Sequence, residues 1–246
     1  MARDVEVGDK VYVPRTLLGM DLNHPSVFYE ADVVEKIDRS VRIKLHNGNY
    51  SKKIAVSHVS KNVGVIIFRI GDYKETLLLN PLYNSVVQFL KMLLPDDHVR
   101  ALEIRTLEEL IYYWNEAHAA YQQLVIIGHG SSESITFGEN RCRVDKIVEY
   151  LDKQNVVSKE IISLCCETGK APFAKTISFS NFCDFFIAPF GSLHGCTASQ
   201  FAQNYFMRRM LAAETPTTAF KNTRSHIKNA ATFRFWKNGE LKAGKM

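Results

Sequence analysis

The stretch LVIIGHGSSES, Leu124–Ser134, decides the fold. An apolar run stops at Gly128-His129-Gly130, and small polar residues with one glutamate follow. A second run, EIISLCCETGK at Glu160–Lys170, ends on Cys165 and Cys166. Strands that are apolar without alternation are buried on both faces, as in parallel sheets covered by helices. In such sheets the ligand crevice lies beyond the carboxyl ends of the strands, where the loops converge. If the two strands are neighbours, about 5 Å apart, His129 and Cys166 face each other across that crevice.

The flanking sequence keeps the same rhythm. VGVIIFRI, VRALEI, QLVIIGHG, EIISLCC and DFFIAPF read as strands, and NPLYNSVVQFLKMLL, TLEELIYYWNEAHAAY and RVDKIVEYLDKQ have helical spacing between them. Thr106 is the expected N-cap of the second of these helices. APFAKTIS is an intervening segment, and ASQFAQNYFMRRMLA is helical. A further helix is expected from Thr215-Pro216 to about Ala231, and FRFWKNGELKAGKM closes as an Asn-Gly hairpin. This alternation predicts an α/β sandwich, helices on both faces of a largely parallel sheet. Before it, Val5 to about Val59 reads as five short strands of a small SH3-like β-barrel, with RTLLGMDLNHPS as a long loop. Two domains are therefore expected, over 1–60 and 61–246.

Composition bounds the setting. An apolar fraction of 46% in 246 residues is ample for a packed core. No apolar stretch approaches the ~20 residues that span a bilayer, and MARDVEVGDK lacks the apolar core of a leader peptide. The expectation is a cytoplasmic protein with no membrane partner. Five cysteines, with no paired spacing beyond the adjacent Cys165 and Cys166, predict reduced thiols and not a disulfide framework. The net charge of +5 is spread over Arg42–Lys53, Arg208-Arg209 and Lys237–Lys245, which reads as solvated surface. Nucleic acid is not expected as a direct partner.

The chemistry of the two strand ends is that of a nucleophile and its base. A thiol with a pKa of about 8.5 is only a few per cent ionised at neutral pH. An imidazole that takes its proton makes it a usable nucleophile and later protonates the leaving amine. Gly130 lets backbone approach a substrate, and its N–H with that of Cys166 is suited to the oxyanion of a tetrahedral intermediate. Cys165 is assigned to the core, since neighbouring strand residues point to opposite faces. Gly169 permits a sharp exit from the strand.

The His129-Gly130 and Cys166-Glu167-Thr168-Gly169 motifs resemble those of CHAT peptidases, relatives of caspases and separase, over about Val63 to Ile227. The resemblance implies a caspase-like α/β/α sandwich, His129 as general base, Cys166 as nucleophile and Gly130 as an oxyanion contributor. It further implies a cysteine endopeptidase that cuts a protein substrate without a cofactor, in prokaryotic defence or regulated cell death, held inactive until a protein activator or signal arrives. The chain departs from the pattern in three places. A small barrel precedes the domain where tetratricopeptide repeats are common, Leu164-Cys165 stands where Ser-Ala is frequent, and APFGSLHGCTASQ matches only loosely, leaving His194 and Cys196 as rim residues. Leu164, two before the nucleophile, is expected to wall the specificity pocket and favour apolar or small residues, with Asp184 as the source of any basic preference. The competing readings are a non-enzymatic scaffold whose barrel binds a peptide or nucleic acid, and a zinc site drawn from His129, Cys165, Cys166 and Cys183. Adjacent cysteines that point apart disfavour the zinc site, so no metal is expected.

Overall fold

The computed structural model describes residues 5–72, 74, 76–152 and 156–245. The first four residues of the leader-peptide reading, Lys153 and Gln154 of one anticipated helix, and Met246 lie outside the described residues.

The apolar runs form the expected sheet. Strands β5 (Val65–Ile70), β6 (Val99–Ile104), β7 (Gln123–Ile127), β10 (Lys159–Ser163) and β11 (Cys183–Pro189) lie parallel in the order β6-β5-β7-β10-β11. The C-terminal hairpin, β12 (Phe233–Lys237) and β13 (Glu240–Ala243), adds two antiparallel strands beside β11, making seven. Two helical layers cover the sheet. On one face, Leu90 of α1 (Thr76–Leu93), Phe201 of α5 (Gly195–Met210) and Phe220 of α6 (Pro216–His226) share a core with Val125 and Ile162. On the other, Trp114 of α2 (Leu107–Ala117), Ile147 of α3 (Val144–Leu151) and Phe173 of α4 (Ala171–Phe179) pack on Leu124 and Ile161. The period-two alternation of β7 and β10 thus feeds both cores, which is why their sequences are apolar throughout.

Local signals behave as the sequence suggests, with three adjustments. Thr106 caps α2, its hydroxyl accepting from Glu109 N at 3.2 Å. Helix α1 begins before Asn80, so Pro81 lies inside it. Helix α6 stops at His226, and Ala230–Thr232 forms a separate 3-10 turn. The hairpin of β8 (Ser134–Phe137) and β9 (Asn140–Arg143) was not expected, although Gly138, at φ 57°, sits in a tight turn between alternating residues. No helix among the described residues is long and apolar enough to cross a membrane.

Residues before β5 form an antiparallel sheet of four strands, β1 (Lys10–Pro14), β2 (Phe28–Ile37), β3 (Ser40–Ile43) and β4 (Ile54–Ala55), around their own core of Val11, Val33 and Ile43. The expected five-strand SH3-like barrel is corrected accordingly. The fifth position reduces to one bridge, Tyr12 to Ser60, where both backbone N–H groups donate across at 2.7 and 3.0 Å. The sheet is docked on the parallel unit by Val27 N to Leu93 O, 3.0 Å, and Thr16 Oγ1 to Leu211 O, 2.7 Å, with Val27 and Phe28 buried in the α1–α5 core.

Two charged side chains are buried at the amino end of β10. Glu160, 3% exposed, receives Arg209 Nη2 of α5 at 3.1 Å. Lys159, fully buried at the start of the strand, has no partner for Nζ among the described residues. Burial holds its pKa down to about 8 from 10.5. Below pH 8 the lysine is protonated in both folded and unfolded states, and its burial opposes folding. Between about 8 and 10.5 only the unfolded chain keeps the proton, so stability rises with pH in that window. Lys159→Met is therefore expected to add about 3 kcal/mol at pH 7, raising the melting temperature by roughly 6–12 °C. The gain should vanish above about pH 10.5, and thermal melts at pH 7 and 10.5 check both halves.

Candidate active site

The site is assembled on the carboxyl ends of two adjacent strands. The last paired residues of β7 and β10 are Ile126 and Ser163. His129 and Cys166 each follow three residues later on the two neighbouring chains. Leu164 N donates to Ile126 O at 2.8 Å, continuing the alignment past the strand. Both residues are half-buried.

Glycines make this junction possible. A Cβ on Gly128 would stand 2.7 Å from Ile70 O, so the β7 exit needs the bare backbone. On Gly130 it would stand 2.8 Å from Cys165 Cβ, Cys166 O and Thr168 Cγ2 alike. The His129-Gly130 backbone therefore lies directly against the Cys165-Cys166 backbone. The small polar residues after it form a turn: Ser131 Oγ accepts from Glu133 N at 3.3 Å and Ser134 N at 3.1 Å. The chain then returns as β8, whose Thr136 N donates to His129 O at 3.0 Å. His129 is held from both sides.

The turn after Cys166 is equally fixed. Glu167 adopts a left-handed φ of 62°, and its N donates to Gly191 O at 3.2 Å. Thr168, fully buried, donates Oγ1 to Cys165 O at 2.8 Å and meets Ser163 Oγ at 2.8 Å. Gly169 presses against β11: a Cβ there would lie 2.5 Å from Ala188 O. Trp236 Nε1 closes the turn by donating to Gly169 O at 3.2 Å. The Cys166 sulfur faces the segment between β11 and α5, accepting from Leu193 N at 3.3 Å. Neither the Gly130 N–H nor the Cys166 N–H has a hydrogen-bond partner among the described residues.

The two adjacent thiols are distinct. Cys165 is fully buried, and burial pushes its pKa up to about 12. At pH 7 such a thiol is ionised about one part in 10⁵. All five cysteines are free, and Cys196 is exposed. Iodoacetamide at pH 7 is expected to modify Cys166 while Cys165 stays unmodified in the folded protein, with Cys196 as an accessible reference thiol. Peptide mass spectrometry after brief labelling measures this, and equal labelling of Cys165 and Cys166 would refute it.

Two of the anticipated specificity residues are placed elsewhere. Leu164 is only 4% exposed and packs in the α1–α5 core, so it presents no wall to a substrate. Its place in the alternation, one residue before the buried Cys165, turns it under the opposite helical layer. Asp184 is the second residue of β11, whose first residue pairs with Lys159 at the amino end of the sheet, and it is bonded to Lys237 Nζ at 2.7 Å. At about 3.3 Å per residue it lies most of a strand length from the Cys166 end. The same displacement removes Cys183 from any zinc site with His129. No group of three or more His, Cys, Asp or Glu among the described residues is placed to hold a metal. His194 and Cys196 are exposed at the start of α5, where His194 Nδ1 accepts from Cys196 N at 3.2 Å. Sequence reasoning missed the β8–β9 hairpin, which with His129 and Gly130 lines an open depression of about 480 Å³.

No family model matches the sequence, and no curated protein matches it. Among solved structures it is similar to one described as the X-ray structure of an inactive zymogen C11 protease from Parabacteroides distasonis, with TM-score 0.48 and 12% identity. The alignment covers 71% of this chain and 61% of that one, so the chain spans about three-fifths of that protein's length.

Proposed function

We propose that the protein is a caspase-like cysteine endopeptidase acting on a protein substrate, with Cys166 as nucleophile and His129 as general base and acid. The observation that carries this reading is the placement of a half-buried thiol and an imidazole three residues past the last paired positions of two adjacent parallel strands. In this mechanism the Cys166 sulfur attacks the scissile carbonyl carbon, and His129 accepts the thiol proton. The oxyanion meets the Gly130 and Cys166 N–H groups, neither of which has a hydrogen-bond partner among the described residues. His129 then gives its proton to the leaving amine, and water hydrolyses the thioester. No step calls for a cofactor or metal.

The N-terminal sheet supplies no group to this chemistry. In this reading it serves as a regulatory or recruiting module, and its hydrogen bonds to Leu93 and Leu211 fix it to the peptidase unit. A protein activator and a role in prokaryotic defence or regulated cell death belong to the same proposal through the CHAT resemblance. The test is incubation of the full chain with candidate protein substrates, including products of neighbouring genes. Cleavage that disappears in Cys166→Ala supports the proposal, and cleavage that persists in that variant ends it.

A further inference from the structure

The hairpin that follows His129 carries a cation without a partner among the described residues. Arg141 in β9 sits opposite Thr136 in β8, and Thr136 N holds the His129 carbonyl at 3.0 Å. Ile135, Phe137 and Cys142 are buried on one face of the hairpin, so alternation turns Thr136 and Arg141 to the other. Arg141 borders both the 480 Å³ depression at His129 and an adjoining groove of about 750 Å³ that reaches Arg105 and Arg143. Of the charges around it, Glu139 is paired with Lys74 at 2.9 Å, and Arg143 with Glu133 at 3.4 Å and Asp145 at 3.3 Å. Glu108, Lys146 and Glu149 also line the larger groove, but among the described residues the depression at His129 holds Arg141 and Glu139 as its only charged side chains besides the histidine. Arg141 is exposed and has no hydrogen-bond or ion-pair partner among the described residues.

The reaction fixes which part of a substrate passes this arginine. When the tetrahedral intermediate collapses, the C–N bond breaks and its electron pair takes the proton held by the His129 ring. The proton donor stands beside the leaving nitrogen. The chain on the C-terminal side of the cut therefore departs over the His129 depression and the hairpin, while the Leu193 backbone borders Cys166 on the β11 side.

We infer that Arg141 is a specificity-determining residue that binds an acidic side chain in the first few substrate residues after the scissile bond. The inference rests on the peptidase reading above. A guanidinium grips a carboxylate through two parallel N–H···O bonds, and the same cation repels a substrate lysine. Exposed ion pairs select only a few-fold, whereas a bidentate contact in a concavity covered by substrate selects roughly ten- to hundred-fold.

The experiment is cleavage of a proteome-derived peptide library by the full chain, with cut sites read by mass spectrometry and the fold of each variant checked by its melting temperature. Wild-type cuts are expected to be enriched in Asp and Glu within about four positions after the bond. Arg141→Gln should remove that enrichment, and Arg141→Glu should replace it with Lys and Arg. An absence of acidic enrichment in the wild type, or enrichment that survives Arg141→Gln, overturns the Arg141 assignment while leaving the nucleophile in place. Cuts that persist in Cys166→Ala, or a complete absence of cuts both with and without the products of neighbouring genes, overturn the peptidase reading and this inference with it.

Discussion

Cys166→Ala is expected to lower kcat/KM on a protein substrate by about 10⁴-fold or more while leaving the melting temperature nearly unchanged. The sulfur is half-buried, and its nearest polar contact is one backbone N–H at 3.3 Å. Removing it opens little cavity and releases only the half-buried Leu193 N–H from a weak bond to sulfur, so the stability change should stay within about 1 kcal/mol. His129→Ala should match the loss. The double variant should be no worse than either single one, because residues that act as one unit do not contribute additively. Steady-state rates for the three variants, with melts recorded in parallel, decide the matter. Additive losses would mean that the two side chains work independently.

Gly130→Ala should damage both stability and turnover. The added methyl meets three atoms at 2.8 Å, and one of them, Cys166 O, is backbone in the fixed turn that Cys166 opens. Thr168 cannot yield, because its hydroxyl is tied to Cys165 O and its side chain is fully buried. The β7 exit must shift instead, at a cost of about 1–3 kcal/mol. In the proposed mechanism that shift also moves the Gly130 N–H away from the oxyanion, and loss of one such donor costs about 10²- to 10³-fold in kcat. The measurement is a denaturant melt with kcat from the same preparation. A stable, fully active Gly130→Ala protein would show that the glycine neighbourhood is compliant and that its N–H is not part of the site.

The framework of the site was legible because period and punctuation coincide. Apolar runs ending on Gly128 and on the two cysteines placed both strand ends correctly, and alternation alone separated the buried Cys165 from Cys166. Direction along the strand was what the specificity reading lacked. Asp184 is the second residue of its strand, so a parallel neighbour of β10 carries it to the amino end of the sheet. Leu164 is apolar like a pocket wall, but its neighbour Cys165 already marks the alternation that sends it beneath α1 and α5. The β8–β9 hairpin escaped notice because its alternation spans only a few residues and merges with the helix after Arg143. The N-terminal segment reads as a five-stranded barrel because strand count follows from turns, whereas a barrel depends on how far its last strand pairs. Here that pairing stops at Ser60.

The buried pair of Glu160 and Arg209 guards the register that sets the two adjacent cysteines apart. A side chain on a strand changes face with every residue, so a slip of one position in β10 would exchange the surroundings of Cys165 and Cys166. It would also swing Glu160 away from Arg209 and into the apolar layer of α2, α3 and α4, stranding two charges. An electrostatic key at one end of the strand thereby enforces the reading frame at the other, and a doublet of chemically identical thiols is held in two different surroundings, one buried and one half-buried.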